Sequence, residues 1–215
     1  MSRVPWRTAA NVAAGIACAI AAVWVATGGS TALGLSYVDL GFHELGHLVF
    51  SWAPGLVPVL AGSVLQIAVP VGLALYFMVR RESYAAGLLF AWAATSAANV
   101  SVYAGDAPTQ TLSLLGNGVH DWAWILGSVG HMEWATPLAS GIRWFGVALA
   151  LIGLLVAIVP LMTPHARARA EAKAAAERQA REVALRARAP RHDPRNIPPK
   201  SAGRPSPPAA STGRF

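Results

Sequence analysis

His43, Glu44 and His47 stand in the stretch HELGH, with Gly41-Phe42 before it and Leu48-Val49-Phe50 after it. On a helix, positions i and i+4 share a face, so the two imidazoles can reach one metal ion. Glu44 is displaced by one residue and reaches a water on the ion instead of the ion itself. There it would act as general base and then carry the proton to a leaving amine. Zinc lowers the pKa of its water toward neutrality and polarises a scissile carbonyl. Gly46 removes a side chain beside the site and lets a second helix or a substrate backbone come close. The pattern predicts one Zn2+ ion held by His43 and His47, with Glu44 catalytic. Burying two histidines and a glutamate in apolar surroundings without a partner is expensive, which favours metal binding over a merely packed polar patch.

Two ligands do not complete a zinc site. Asp106, in NVSVYAGDAP, is put first as the third, with His120 and Asp121, in GNGVHDWAW, as alternatives. Each has a structural reading beside the functional one. Asp106 suits a turn or cap before Pro108, and His120-Asp121 suits an exposed loop pair. His131, in GSVGHMEW, reads as an interfacial histidine. Gln66, Asn99 and Tyr103 are candidates for cavity lining. Asn99 either donates to a peptide carbonyl or an oxyanion, or binds a neighbouring helix, and Gln66 has the same two readings.

The elements that must position these residues belong to a membrane protein. Mean hydropathy is +0.45 and only 13% of the 215 residues are charged, too apolar for an ordinary soluble domain. Apolar stretches fall at Ala9–Gly28, Leu56–Val79, Tyr84–Ala104 and Ile142–Met162, each near the 20 or so residues that cross a bilayer as a helix. A cleaved signal peptide competes for the first stretch, but its length and the lack of a clean small-x-small site favour an uncleaved span. Ser36–Trp52, which carries HELGH, is shorter and is broken by WAPG at 52–55. Positive charge marks the cytoplasmic side. Arg3, Arg7, Arg80, Arg81 and the basic tail all fall inside only if four stretches cross and the HELGH segment enters and leaves on the outer side, re-entrant or tilted. Asp106, His120 and Asp121 then share that outer side. Residues 105–140 read as a less hydrophobic connection.

The fold class expected is all-α: a polytopic membrane helix bundle of four to five membrane segments, with a C-terminal basic helix and a disordered tail. The expected divisions are a membrane domain at 1–163, a charged cytoplasmic helix at 164–190 and a Pro-rich basic tail at 191–215. Net charge is +7, but 12 of the 17 Lys and Arg lie beyond Pro164. A basic tail behind hydrophobic spans points to anionic lipid and not to nucleic acid. Cys18 is the one cysteine, so neither a disulfide framework nor a cysteine-type zinc site can form within the chain.

HExxH in a hydrophobic segment, followed by apolar spans and a distant aspartate, resembles the site-2 protease family of intramembrane zinc metalloproteases. The likeness covers about residues 36–122 and is nearest to small bacterial multipass members. It includes HELGH, a segment bearing Gly62, Gln66 and Pro70, a Tyr103-x-x-Asp106-Ala107 stretch and the His120-Asp121-Trp122 triplet. The resemblance implies a zinc endopeptidase in a bacterial cytoplasmic membrane, cutting membrane-embedded or membrane-adjacent peptide. His43 and His47 would be ligands and Glu44 the base. The family's third ligand is an aspartate in an LDG motif, to which Asp106 in AGDAP is a loose counterpart. The competing expectation is a membrane protein that binds metal without hydrolysis, as a degenerate protease, a chaperone or a metal handler.

Overall fold

In an apolar medium a chain satisfies its backbone N–H and C=O groups internally, and a long apolar run does so as a helix. The computed structural model describes residues 5–31, 33–112, 119–162 and 164–188, and among these no strand occurs. The helices are α1 (Pro5–Ala26), α2 (Leu33–Val49), α3 (Val57–Val79), α4 (Ser83–Gly105), α5 (Asp121–Val129), α6 (Ala135–Met162) and α7 (Pro164–Arg188). Four stretches are long and apolar enough to cross a membrane: Trp6–Ala26, Val57–Val79, Ser83–Gly105 and Met132–Met162. They fit a multipass membrane protein. The chain divides near His165 into two units. The second contains most of α7, whose described side chains are exposed. The expected disordered tail, 191–215, lies outside the described residues.

Helix α4 is the centre of the first unit. It packs against α1, α3 and α6, and the buried share of its most apolar stretch is 61%, against 33% for each of the other three spans. Small residues allow this. Ala86, Gly87, Ala93, Ala94, Ala97, Ala98 and Ala104 are all buried. Opposite them, α6 presents Gly146, Ala150, Gly153 and Ala157 at spacings of four, three and four, one face of a helix. A Cβ at Gly146 would lie 2.8 Å from the Ala94 carbonyl oxygen, and one at Gly153 would lie 2.7 Å from the Phe90 Cβ. Close backbone approach through small residues is how helices associate where water supplies no hydrophobic drive.

The ends of the bundle sort the charge. Arg7 pairs with Glu82 at 2.8 Å and Trp6 meets Tyr84 edge-on, so α1 begins beside the tight α3–α4 turn that holds Arg80 and Arg81. HELGH lies toward the other end. Val25, near the end of α1, lies level with Ala94 and Gly146. Thr31 donates to the Thr95 carbonyl at 2.9 Å. The α1–α2 connection therefore turns beside the middle of α4, and α2 climbs from there to the first turn of α3. At 17 residues it is about 25 Å long. It does not run the length of the bundle.

Several boundaries differ from the sequence reading: α1 is Pro5–Ala26 and not Ala9–Gly28, and α2 is Leu33–Val49 and not Ser36–Trp52. α6 begins at Ala135 and not Ile142, because a 3-10 turn at Met132–Trp134 leads straight into it. The 105–140 connection also contains α5, capped at its end by Gly130 in the left-handed conformation, φ 74.

A leucine at 153 must force α4 and α6 apart, an overpacking that costs about 1–3 kcal/mol. Detergent-solubilised Gly153→Leu should unfold at lower SDS fraction than wild type. Ile152→Leu, on the exposed face of α6, should not.

Candidate metal centre

Gly46 faces α3 so closely that a Cβ there would lie 2.3 Å from the Ala61 carbonyl oxygen and 2.8 Å from the Gly62 Cα. This contact sets the register of α2 on α3, and with it the two imidazoles. His47 Nδ1 donates to the Pro58 carbonyl oxygen at 2.9 Å. His43 Nδ1 lies 3.3 Å from Gln66 Oε1. The Gln66 amide is oriented by its own donation to Asn99 Oδ1 at 3.0 Å, so its oxygen must face the imidazole. Acceptors on both Nδ1 atoms fix the tautomer, and both Nε2 lone pairs point away from α3's carbonyls. Such outer hydrogen bonds are the usual orienting partners of metal-ligating histidines.

The Nε2 atoms converge on Asp121. Its Oδ2 lies 2.8 Å from His43 Nε2 and 3.3 Å from His47 Nε2. Among the described residues, His43, His47 and Asp121 form a group whose ligand atoms all lie within 4.8 Å of one another. The 2.8 Å between His43 Nε2 and Asp121 Oδ2 is a hydrogen-bond distance, so either a proton on an imidazole or a bound cation can stand between them. One cation serves all three. A tetrahedral ion with bonds of about 2.0–2.1 Å holds its donors about 3.3 Å apart. The His47 distance already matches, and the His43 distance needs to widen by about 0.5 Å. The space is kept open by Gly62, where a Cβ would lie 2.6 Å from His47 Nε2 and 2.9 Å from His43 Nε2. The three side chains thus form a group able to hold a metal ion.

Asp121 owes its place to both neighbours. His120 is the N-cap of α5, its Nδ1 accepting from the Ala123 amide at 3.2 Å. Trp122 Nε1 donates to Ser63 Oγ at 3.1 Å and ties α5 to α3. The Asp121 amide, unpaired at a helix start, donates to the Tyr103 hydroxyl at 3.0 Å. The His-Asp-Trp triplet therefore divides into a cap, a candidate ligand and an anchor.

Asp106, put first as third ligand from sequence, is engaged elsewhere. It caps α4, and its carboxylate accepts from the Thr109 hydroxyl, the Thr111 amide and hydroxyl, and the Leu112 amide at 2.7–3.0 Å. Burial alone would push this carboxyl up. Donation from the Thr111 hydroxyl, the Leu112 and Thr111 amides and the Thr109 hydroxyl outweighs burial and holds it well below its ordinary 3.8. Its role is to fold the loop that leads to α5. His120 stands apart from the group of His43, His47 and Asp121: its Nδ1 is the cap, and its buried Nε2 faces Asp106 Oδ2 at 3.5 Å. The alternative aspartate, Asp121, is the one that meets the imidazoles.

No protein-family model, curated protein or solved structure matches this chain.

A cavity of about 720 Å³ opens beside the three side chains, with Glu44, Gln66, Asn99 and Tyr103 in its wall. Glu44 is exposed to it, while His43 and Asp121 are buried or half-buried. The apolar share of the wall comes from Leu40, Val102, Leu112 and Val119. His131 lies outside, pairing with Glu133 at 2.7 Å and stacking on Trp134. Asp39, one turn before His43, is fully buried and accepts from Trp92, Ser96 and Thr31, which fastens α2 to α4. Sequence reading missed this anchor, and it missed Ser63 and the Pro58 carbonyl. The first could have been found from its i−4 spacing to His43. A backbone carbonyl leaves no mark in the sequence.

Asp121→Ala should lose bound metal, measured as metal per protein after dialysis against one equivalent of Zn2+. Asp106→Ala should retain metal at saturating Zn2+. Equal content in all variants would remove Asp121 from the site.

The depressed carboxyl of Asp106 makes a signed prediction. Its contribution is fully present above pH 3.8, the ordinary value, and is lost as pH falls below that. Asp106→Asn should therefore speed amide exchange at Thr111 and Leu112 about ten-fold at pH 7, the equivalent of about 1.5 kcal/mol from a charged hydrogen bond. The two proteins should converge below pH 3.8 and keep a constant ratio between pH 5 and 8.

Proposed function

We propose that this chain is an integral-membrane zinc metallopeptidase that hydrolyses membrane-embedded or membrane-adjacent peptide. The observation that carries the reading is the convergence of two Nε2 lone pairs and the Asp121 carboxylate on the wall of a cavity that also holds Glu44. Two imidazoles, one carboxylate and an open side are the donor set of catalytic zinc sites. When bound, the ion supplies Lewis acidity toward a carbonyl and acidifies water.

The chain's own residues do the rest. Asn99, Gln66 and the Pro58 carbonyl hold the imidazoles in one tautomer. Glu44, exposed to the cavity, takes a proton from the attacking water as the carbon–oxygen bond forms. As the carbon–nitrogen bond breaks, Glu44 returns that proton to the amine nitrogen, so peptide and water give one carboxylic acid and one amine, between which the remaining proton moves to leave carboxylate and ammonium. A cavity of about 720 Å³ has the size of a ligand pocket and admits a few residues of extended peptide.

The resemblance to site-2 proteases, carried by His43, Glu44 and His47, supports this reading. With Arg7, Arg80 and Arg81 at one end of the bundle, the positive-inside rule favours that end as the cytoplasmic one, which would turn the metal centre toward the outer face. The basic tail follows α6 in sequence and would lie near anionic lipid.

The test uses purified, zinc-loaded full chain on a single-span substrate. Glu44→Gln should keep its zinc and lose cleavage by about 10²-fold or more. His43→Ala should lose both. Wild type that retains zinc and cleaves no membrane peptide would instead be a metal-binding protein without hydrolysis.

A further inference from the structure

Asn99 and Tyr103 stand at i and i+4 on α4, so they share a face, and both line the cavity. Each has its acceptor occupied by the protein. Asn99 Oδ1 receives the Gln66 amide, and the Tyr103 hydroxyl oxygen receives the Asp121 amide. Each has a donor left over. An asparagine amide carries two N–H groups and a phenol one O–H. Among the described residues neither of these donors has a partner. Both residues are half-buried, and their spare donors open onto the cavity beside the candidate metal centre, where a bound ligand can accept from them.

We propose that Asn99 Nδ2 and the Tyr103 hydroxyl are catalytic hydrogen-bond donors to the substrate's scissile carbonyl oxygen. The inference deepens the peptidase reading and rests on it. As water adds to the carbonyl carbon, the carbonyl oxygen gains negative charge, and two pre-oriented donors stabilise it without reorganising. Their orientation is fixed in advance. Asn99 cannot flip, because its oxygen must face the Gln66 N–H. The Tyr103 O–H cannot point at Asp121 N, which is itself a donor. Gln66 is by contrast a positioning residue: it acts on His43 and on Asn99, and its polar atoms are used up between them. One helix face thus ties orientation of His43, placement of Asp121 and binding of the carbonyl oxygen together.

The experiment compares zinc-loaded wild type with Tyr103→Phe, Asn99→Leu and Asn99→Asp. The last keeps an oxygen for Gln66 while removing the donor, which guards against a variant that fails by misfolding. Three quantities are read: zinc per protein, kcat and KM on a single-span substrate, and affinity for a phosphinate peptide that mimics the hydrated carbonyl. Each variant should keep its zinc, lose about 10²-fold in kcat with KM little changed, and bind the phosphinate correspondingly more weakly. Unchanged kcat and unchanged phosphinate affinity in all three overturn the proposal. So does a loss of activity that follows loss of zinc, which would make both residues structural. If wild type cleaves nothing, the hydrolytic reading fails separately and phosphinate affinity decides alone. Weakened binding in the variants then supports the two donors, and unchanged binding or none by wild type overturns them.

Discussion

The backbones of α2 and α3 touch where Gly46 meets Ala61 and Gly62, and the site is built outward from that contact. Any side chain at 46 would separate the helices. His47 would then leave the Pro58 carbonyl and His43 would leave Gln66. Gly62 acts a second time, because its missing Cβ is the space into which both Nε2 atoms look. Two glycines, one on each helix, therefore set the distance between the helices and the room between the imidazoles. Asp121 comes to this room from a separate helix, and its arrival depends on a cap, an anchor and a phenol that do not touch a ligand atom themselves.

Apolar surroundings make such arrangements strict. A buried polar group left unpaired costs about 1–3 kcal/mol, and in low dielectric each member of a network strengthens the others. The run Asn99–Gln66–His43 and the loop closed by Asp106 follow this rule: almost every acceptor and donor in them is matched. Asp39 obeys it too, with three donors on one buried carboxylate. The buried atoms left unmatched among the described residues, Asn11 Oδ1, Glu82 Oε2, Ser101 Oγ and His120 Nε2, lie off the cavity wall, whereas the spare donors of Asn99 and Tyr103 open onto it.

The helical periodicity of HELGH and the four stretches long and apolar enough to cross a membrane were readable, because each follows from spacing or length. Asn99 and Gln66 were readable as cavity residues because amides are costly in apolar helices. The completing aspartate was not. Asp106 and Asp121 are 15 positions apart in one connection, and both sit at helix ends, Asp106 as C-cap and Asp121 in a first turn. What separates them is three-dimensional: four loop donors close on Asp106, while Trp122 reaches Ser63 from a helix that alternation of polar and apolar residues did not reveal. Turn chemistry near Pro108 did point to a capping role for Asp106, and the four loop donors on its carboxylate agree with that local reading.

Helix α2 divides its labour by angle. Successive residues turn by about 100°. With His43 as zero, Gly46 lies at about −60° and Asp39 at about −40°, toward α3 and α4. His47 follows at about 40°, Leu40 at about 60°, Glu44 at about 100° and exposed Tyr37 at about 120°. The order round the helix is packing, metal, apolar wall, base, open. A carboxylate at i+4 from His43 would fall among the ligands and be neutralised by the ion. At i+1 Glu44 stands about 60° beyond His47, on the wall of the same cavity and exposed to it. The one-residue offset inside HELGH thus lets a single short helix carry both candidate ligands and the proposed base, while its opposite edge stays flush against α3.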